Sequence, residues 1–112
     1  MASERDFRKI ALSLEGTIEA PHFDRTAFKV ARIYATLPRD GETANLLFSI
    51  DDQDKHCADA PEAFAPVPGG WGRMGYTTVT LGELTVKQLE AAMRIAWTRA
   101  LPKPKKRVAK KR

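Results

Sequence analysis

A chain of 112 residues, 43% hydrophobic and 29% charged, has room for one real core and not for two. No apolar run approaches the ~20 residues a membrane span needs, the amphipathic N-terminus lacks a signal-peptide core, and the single cysteine, Cys57, excludes an internal disulfide, so the expected compartment is the reducing cytoplasm. The formal net charge of +5 belongs to one end, because seven of the 19 basic residues (Lys103, Lys105, Lys106, Arg107, Lys110, Lys111 and Arg112) follow Pro102 with no acid among them, leaving 12 basic against 14 acidic residues in a near-neutral body.

Taken in order, the chain first predicts a helix capped by Ser3, with Asp6 at the third helical position of a capping box. Phe7, Ile10, Ala11 and Leu14 recur at i, i+3, i+4, i+7 as its buried stripe, and Gly16 is its stop. Pro21 confines 18–24 to an edge strand or an irregular connection, since proline cannot donate to a ladder. Over 27–37 the apolar parity changes, Phe28 and Val30 against Ile33, Ala35 and Leu37. A one-residue slip reverses every side chain, so Ala31-Arg32 must hold a tight turn or a bulge. Pro38-Arg39-Asp40-Gly41 reads as a turn, and 44–50 as a largely buried strand.

Ser49 or Asp51 is placed to cap a short polar helix over 52–60, bounded by Pro61. Residues 64–67 read as an edge strand and 76–81 as an alternating strand. The last helix opens on a Thr85/Gln88 capping box with Leu84 and Leu89 as a hydrophobic staple, buries Val86, Leu89, Met93, Ala96, Trp97 and Ala100, and stops at Pro102. The expectation is α+β: a two-layer antiparallel sheet of about five strands flanked by helices, in the order α-β-β-β-α-β-β-α. Residues 1–102 form the domain, and 103–112 form a basic tail too poor in apolar residues to fold.

Rare residue types concentrate between the last two strands, in Pro68-Gly69-Gly70-Trp71-Gly72-Arg73-Met74-Gly75. Gly70, Gly72 and Gly75 match G-x-G-x-x-G, but that fingerprint binds pyrophosphate only where it opens a helix. Here the β-branched run Tyr76-Thr77-Thr78-Val79 follows, so the glycines serve backbone geometry. Trp71 either folds back over the sheet or stands exposed for stacking, and Arg73 either braces a carboxylate or meets phosphate. His22 and His56 lie far apart with only Cys57 near the second, which offers neither metal-ligand spacing nor a catalytic set. His56-Cys57 reads as a surface pair, and Asp51, Asp52 and Asp54 as capping residues without the rest of a calcium loop. No cofactor, metal or catalytic activity is expected.

The chain resembles the MmcQ/YjbR family of small bacterial proteins. The residues responsible are Phe7-Arg8-Lys9-Ile10-Ala11-Leu12, Pro21-His22-Phe23, Ala27-Phe28-Lys29-Val30, Tyr34-Ala35-Thr36-Leu37, the segment running from Pro68 through Trp71 to Val79, and Ala96-Trp97 with Pro102-Lys103. The resemblance spans residues 4–103 and implies a helix-flanked antiparallel sheet in a double-wing arrangement, with a DNA-binding label common among members. The basic tail extends beyond the family's domain.

Two functional expectations follow. The first is non-catalytic binding of nucleic acid, DNA before RNA, with low sequence specificity. Lys29, Arg32, Trp71 and Arg73 would act on the hairpins and the seven tail cations would contact phosphate. Full engagement of the tail on duplex DNA gives a salt slope of about −6. The second is a module that binds a protein or small ligand in a sheet groove lined by His22, Trp71 and Tyr76.

Overall fold

The computed structural model describes residues 1–39 and 41–102; the tail expectation falls on 103–112, outside the described residues. Helix α1 (Glu4–Ser13) begins as the sequence predicts. Ser3 Oγ accepts from the Asp6 amide at 3.3 Å, and Asp6 Oδ2 accepts from the Ser3 amide at 3.0 Å, so aspartate closes the capping box in place of glutamate. Phe7, Ile10, Ala11 and Leu14 are all buried.

Four strands follow: β1 (Ile18–His22), β2 (Arg25–Lys29), β3 (Ile33–Leu37) and β4 (Thr43–Leu47). The parity change of 27–37 is resolved by a turn and a bulge together. Val30 to Arg32 closes the hairpin, with the Val30 amide donating to the Arg32 carbonyl at 3.1 Å. The pairing then passes from Phe28↔Ala35 to Lys29↔Ile33, which leaves Tyr34 as the extra residue on β3. Its hydroxyl lies 2.9 Å from Thr17 Oγ1 and donates to the Ala11 carbonyl at 3.3 Å, tying the bulge to the end of α1.

The strand expected over 44–50 is shorter than its apolar content suggests. It ends at Leu47, Ser49 caps α2 (Ile50–Asp59), and Ile50 opens that helix with an exposed side chain. The chain then forms β5 (Phe64–Pro66), a single helical turn α3 (Gly70–Arg73), β6 (Tyr76–Thr80), a 3₁₀ turn at Leu81–Glu83, and α4 (Val86–Ala100) with the expected Thr85/Gln88 capping box. The sheet has six antiparallel strands in the order β1-β2-β3-β4-β6-β5, one more than expected because the β2–β3 hairpin counts twice. Both proline-bearing strands lie on its edges, where a missing donor costs least.

Alternation along the strands sorts the sheet into two faces. One carries Phe28, Ala35, Leu37, Ala44, Leu46 and Val79 into the core, where α4 packs across β3 and β4 and against α1. Phe7 meets Phe28 edge-on at 5.6 Å between ring centroids. Through the register, the other face carries Ala20, Ala27, Thr36, Asn45, Thr78 and Ala65 in one row across all six strands. This second, smaller and more polar face forms the floor of a groove.

Candidate functional site

The groove is about 370 Å³, and four segments supply its walls. The β1–β2 turn gives His22, Phe23, Asp24 and Arg25, β3 and β4 give Ile33, Thr36 and Asn45, and the region of α3 and β6 gives Val67, Trp71 and Tyr76. Its volume is near the lower end of the roughly 300–1,000 Å³ typical of small-ligand sites.

The two rims are aromatic. Trp71 is 60% exposed and Phe23 94% exposed, an unusual amount of aromatic surface to leave in water. Tyr76 braces the indole edge-to-face at 5.3 Å, and His22 backs the Phe23 ring at 4.9 Å. Trp71 therefore meets both expectations in part: it packs against the sheet and remains open to solvent. His22 is half-buried and belongs to the groove wall rather than the core.

Phe23 occupies the first position of a two-residue hairpin turn, between the pair His22↔Arg25, with φ +61°. Glycine is the usual residue at such a position, and a bulky side chain with positive φ is an outlier. On the floor, Arg25 Nε donates to Thr36 Oγ1 at 3.0 Å, which fixes the guanidinium against β3. Thr78 Oγ1 donates to Asn45 Oδ1 at 2.9 Å, so the amide group of Asn45 is oriented too.

The glycines around Trp71 hold α3 against the rest of the fold. A Cβ on Gly72 would overlap the Val67 carbonyl oxygen, and one on Gly75, whose φ is +106°, would overlap that of Phe48. By contrast, nothing lies within 4 Å of a Cβ built on Gly70. From below, the side chain of Gln53 on α2 clamps the same turn. Its Nε2 lies 3.0 Å from the Gly72 carbonyl, 3.0 Å from the Tyr76 carbonyl and 3.2 Å from Thr77 Oγ1, which itself donates to the Gly75 carbonyl.

The proposed phosphate-contacting residues are dispersed. Lys29 and Arg32 are exposed at the β2–β3 hairpin, and neither they nor Arg73 form an ion pair among the described residues. Trp71 and Arg73, two residues apart in sequence, line different hollows. Arg73 lines a shallow depression of about 480 Å³ on the other side of Val67, with Ile50, Gln53 and Pro66. The seven tail cations lie outside the described residues.

Cys57 and His56 do not form the expected surface pair. The His56 ring sits 4.8 Å from Phe48 and 5.0 Å from Phe64, with Nδ1 donating to the Asp52 carbonyl at 2.8 Å. Burial, then the nearby Asp54 carboxylate, push the Cys57 thiol above its ordinary pKa, which holds it in the less nucleophilic form. Among the described residues, no three His, Cys, Asp or Glu side chains are grouped to hold a metal ion, and no helix is long and apolar enough to cross a membrane.

Phe23, Asp24, Arg25, Thr36, Asn45 and Gln53 were not expected as site residues from sequence; Phe23 and Thr36 entered there only within segments that carry the family resemblance. The two-residue turn at Phe23-Asp24 was hidden because 18–24 reads as one strand or irregular connection. No protein-family model matches the chain, and no curated protein is similar to it. The crystal structure of the Deinococcus radiodurans protein DR2400, which carries a domain of the DUF419 family model, has the same α+β fold. It superposes with a TM-score of 0.71 at 23% identity, over 84% of this chain and 75% of that one.

Proposed function

We propose that the chain is an MmcQ/YjbR-type protein, the family to which the DUF419 label of the Deinococcus protein corresponds, and that it is a non-catalytic binding module taking its ligand in the open-face groove. One observation carries the reading. His22, distant in sequence from Trp71 and Tyr76, lines a single groove with them whose rims expose Trp71 and Phe23. Exposed, braced aromatic rings offer large contact area at little entropic cost, which is how binding surfaces concentrate affinity. The test uses the apolar fluorophore 8-anilinonaphthalene-1-sulfonate. The full chain is expected to enhance its emission. Trp71→Ala should weaken that binding several-fold, whereas Leu12→Ala, which removes an exposed apolar residue on α1, should not. Equal binding by all three proteins would refute the reading.

Lys29 and Arg32, exposed at the β2–β3 hairpin and without an ion pair among the described residues, favour a second reading, sequence-independent binding of nucleic acid together with the basic tail. Replacing Lys29, Arg32 and Arg73 with alanine should then flatten the salt dependence of DNA affinity by about 0.9 per lost contact. An unchanged slope would assign the binding to the tail alone.

A further inference from the structure

We propose that the occupant of the groove is an unpaired base of single-stranded nucleic acid, stacked on Trp71 and Phe23 while its backbone runs along the cations of the β2–β3 side. This rests on the groove reading above and joins it to the charge of the chain. Three observations converge on that occupant.

The rims come first. Stacking needs exposed π-surface held still, and Tyr76 and His22 supply the bracing at 5.3 and 4.9 Å. Phe23 is held at φ +61° with its ring almost wholly in solvent, so neither burial nor local geometry accounts for a phenylalanine there. An outlier of this kind, which touches His22 but leaves its ring almost wholly in solvent, points to a role in binding.

The groove's polar groups suit a base edge. Asp24 contributes acceptors and Asn45 an oriented amide, the groups that pair with exocyclic amines and ring nitrogens. A carboxylate in the groove disfavours phosphate there and favours an N–H donor. A cavity of about 370 Å³ admits one extruded base and not a duplex.

Charge supplies the third argument. Arg25 lines the groove and spends only its Nε on Thr36, so its terminal nitrogens make no hydrogen bond among the described residues. Lys29 and Arg32 flank Ile33, another groove residue, and seven further cations lie in the tail. A ligand that is flat and apolar on its faces, hydrogen-bonding at its edge and polyanionic along its length is a single-stranded nucleic acid.

The experiment titrates the full chain with three probes of equal length at 0.3 M salt: oligothymidylate, an abasic deoxyribose-phosphate strand, and duplex DNA. Oligothymidylate should quench the tryptophan emission and bind about 10-fold tighter than the abasic strand or the duplex, since a stacked base contributes roughly 1–3 kcal/mol. Trp71→Ala and Phe23→Ala should each remove most of that preference, and Trp71→Ala should abolish the quenching. Arg25→Gln should weaken oligothymidylate and the abasic strand alike. Equal affinity for oligothymidylate and abasic strand, unaffected by Trp71→Ala, overturns the inference as electrostatic binding by the tail only. So does displacement of the fluorophore by an apolar peptide and not by oligothymidylate. In both cases Trp71-dependent fluorophore binding leaves the groove reading standing, and its absence removes that reading as well.

Discussion

Replacing Gln53 by glutamate changes one nitrogen to oxygen without altering side-chain volume, at a position 5% exposed beneath the Trp71 turn. The two hydrogens of Nε2 serve three oxygens, those of Gly72, Tyr76 and Thr77. Two of these acceptors keep another donor when Gln53 is lost. The Gly75 amide also reaches the Gly72 carbonyl at 3.0 Å, and the Val67 amide reaches that of Tyr76 at 3.0 Å. Gln53→Met therefore orphans no carbonyl and should cost about 1–3 kcal/mol, the net worth of the lost bonds.

Glutamate is worse because Thr77 donates its hydroxyl hydrogen to the Gly75 carbonyl, so three acceptors would face a carboxylate. A carboxyl there stays neutral, and holding it neutral at pH 7 costs about 3.7 kcal/mol, at 1.36 kcal/mol per pH unit above the unfolded value near 4.3. With its folded pKa above its unfolded one, the variant keeps its stability below pH ~4.3 and loses it as pH rises toward the folded value. Urea melts at pH 4, 5.5 and 7 should show Gln53→Glu close to Gln53→Met at the lowest pH and about 3 kcal/mol below it at the highest. A pH-independent difference between the two variants, or a glutamate variant as stable as wild type at pH 7, would refute the clamp.

Gly75→Ala should destabilise by more than 3 kcal/mol or prevent folding, since both the positive φ and the Phe48 carbonyl exclude a Cβ, whereas Gly70→Ala should be neutral or slightly stabilising; paired thermal melts compare them. Phe23→Gly relieves a left-handed backbone cost of about 1–2 kcal/mol, offset by roughly 0.5–1 kcal/mol of unfolded-chain entropy, and buries nothing less. Its stability should equal or slightly exceed wild type, and a loss above 1 kcal/mol by urea melt would mean the ring packs. Burial raises the Tyr34 phenol above its ordinary pKa, with the Thr17 hydrogen bond opposing. The unfolded phenol thus ionises first, stability falls as pH rises past about 10, and Tyr34→Phe should flatten that fall in melts from pH 9 to 11.

Much of the frame was legible residue by residue. Ser3 with Asp6 and Thr85 with Gln88 fix two helix starts through bonds within one turn, and Pro21 and Pro66 mark edge strands because of a donor they lack. The parity break of 27–37 required a slip, though not which residue would bulge. Tyr34 was chosen by its hydroxyl partners on α1, which sequence does not bring together. The segment 48–50 reads as strand because Phe48 and Ile50 are apolar, but Ser49 turned the chain into a helix by capping it. Gln53 and His56, on a helix that looks polar, were drawn inward by a carbonyl cluster and by two phenylalanines.

The glycine–tryptophan stretch divides along the same line. Its composition alone required unusual backbone, and the β-branched run after it argued against a phosphate cradle. That Gly72 and Gly75 are dictated by the Val67 and Phe48 carbonyls, that Arg73 and Trp71 line different hollows, and that Trp71 and Phe23 line the same groove were decided by tertiary structure. Local hydrogen bonds and periodicity act over a few residues and leave a trace in sequence. A groove is made where strands from opposite ends of the chain are brought to one face, and no window of the sequence contains it.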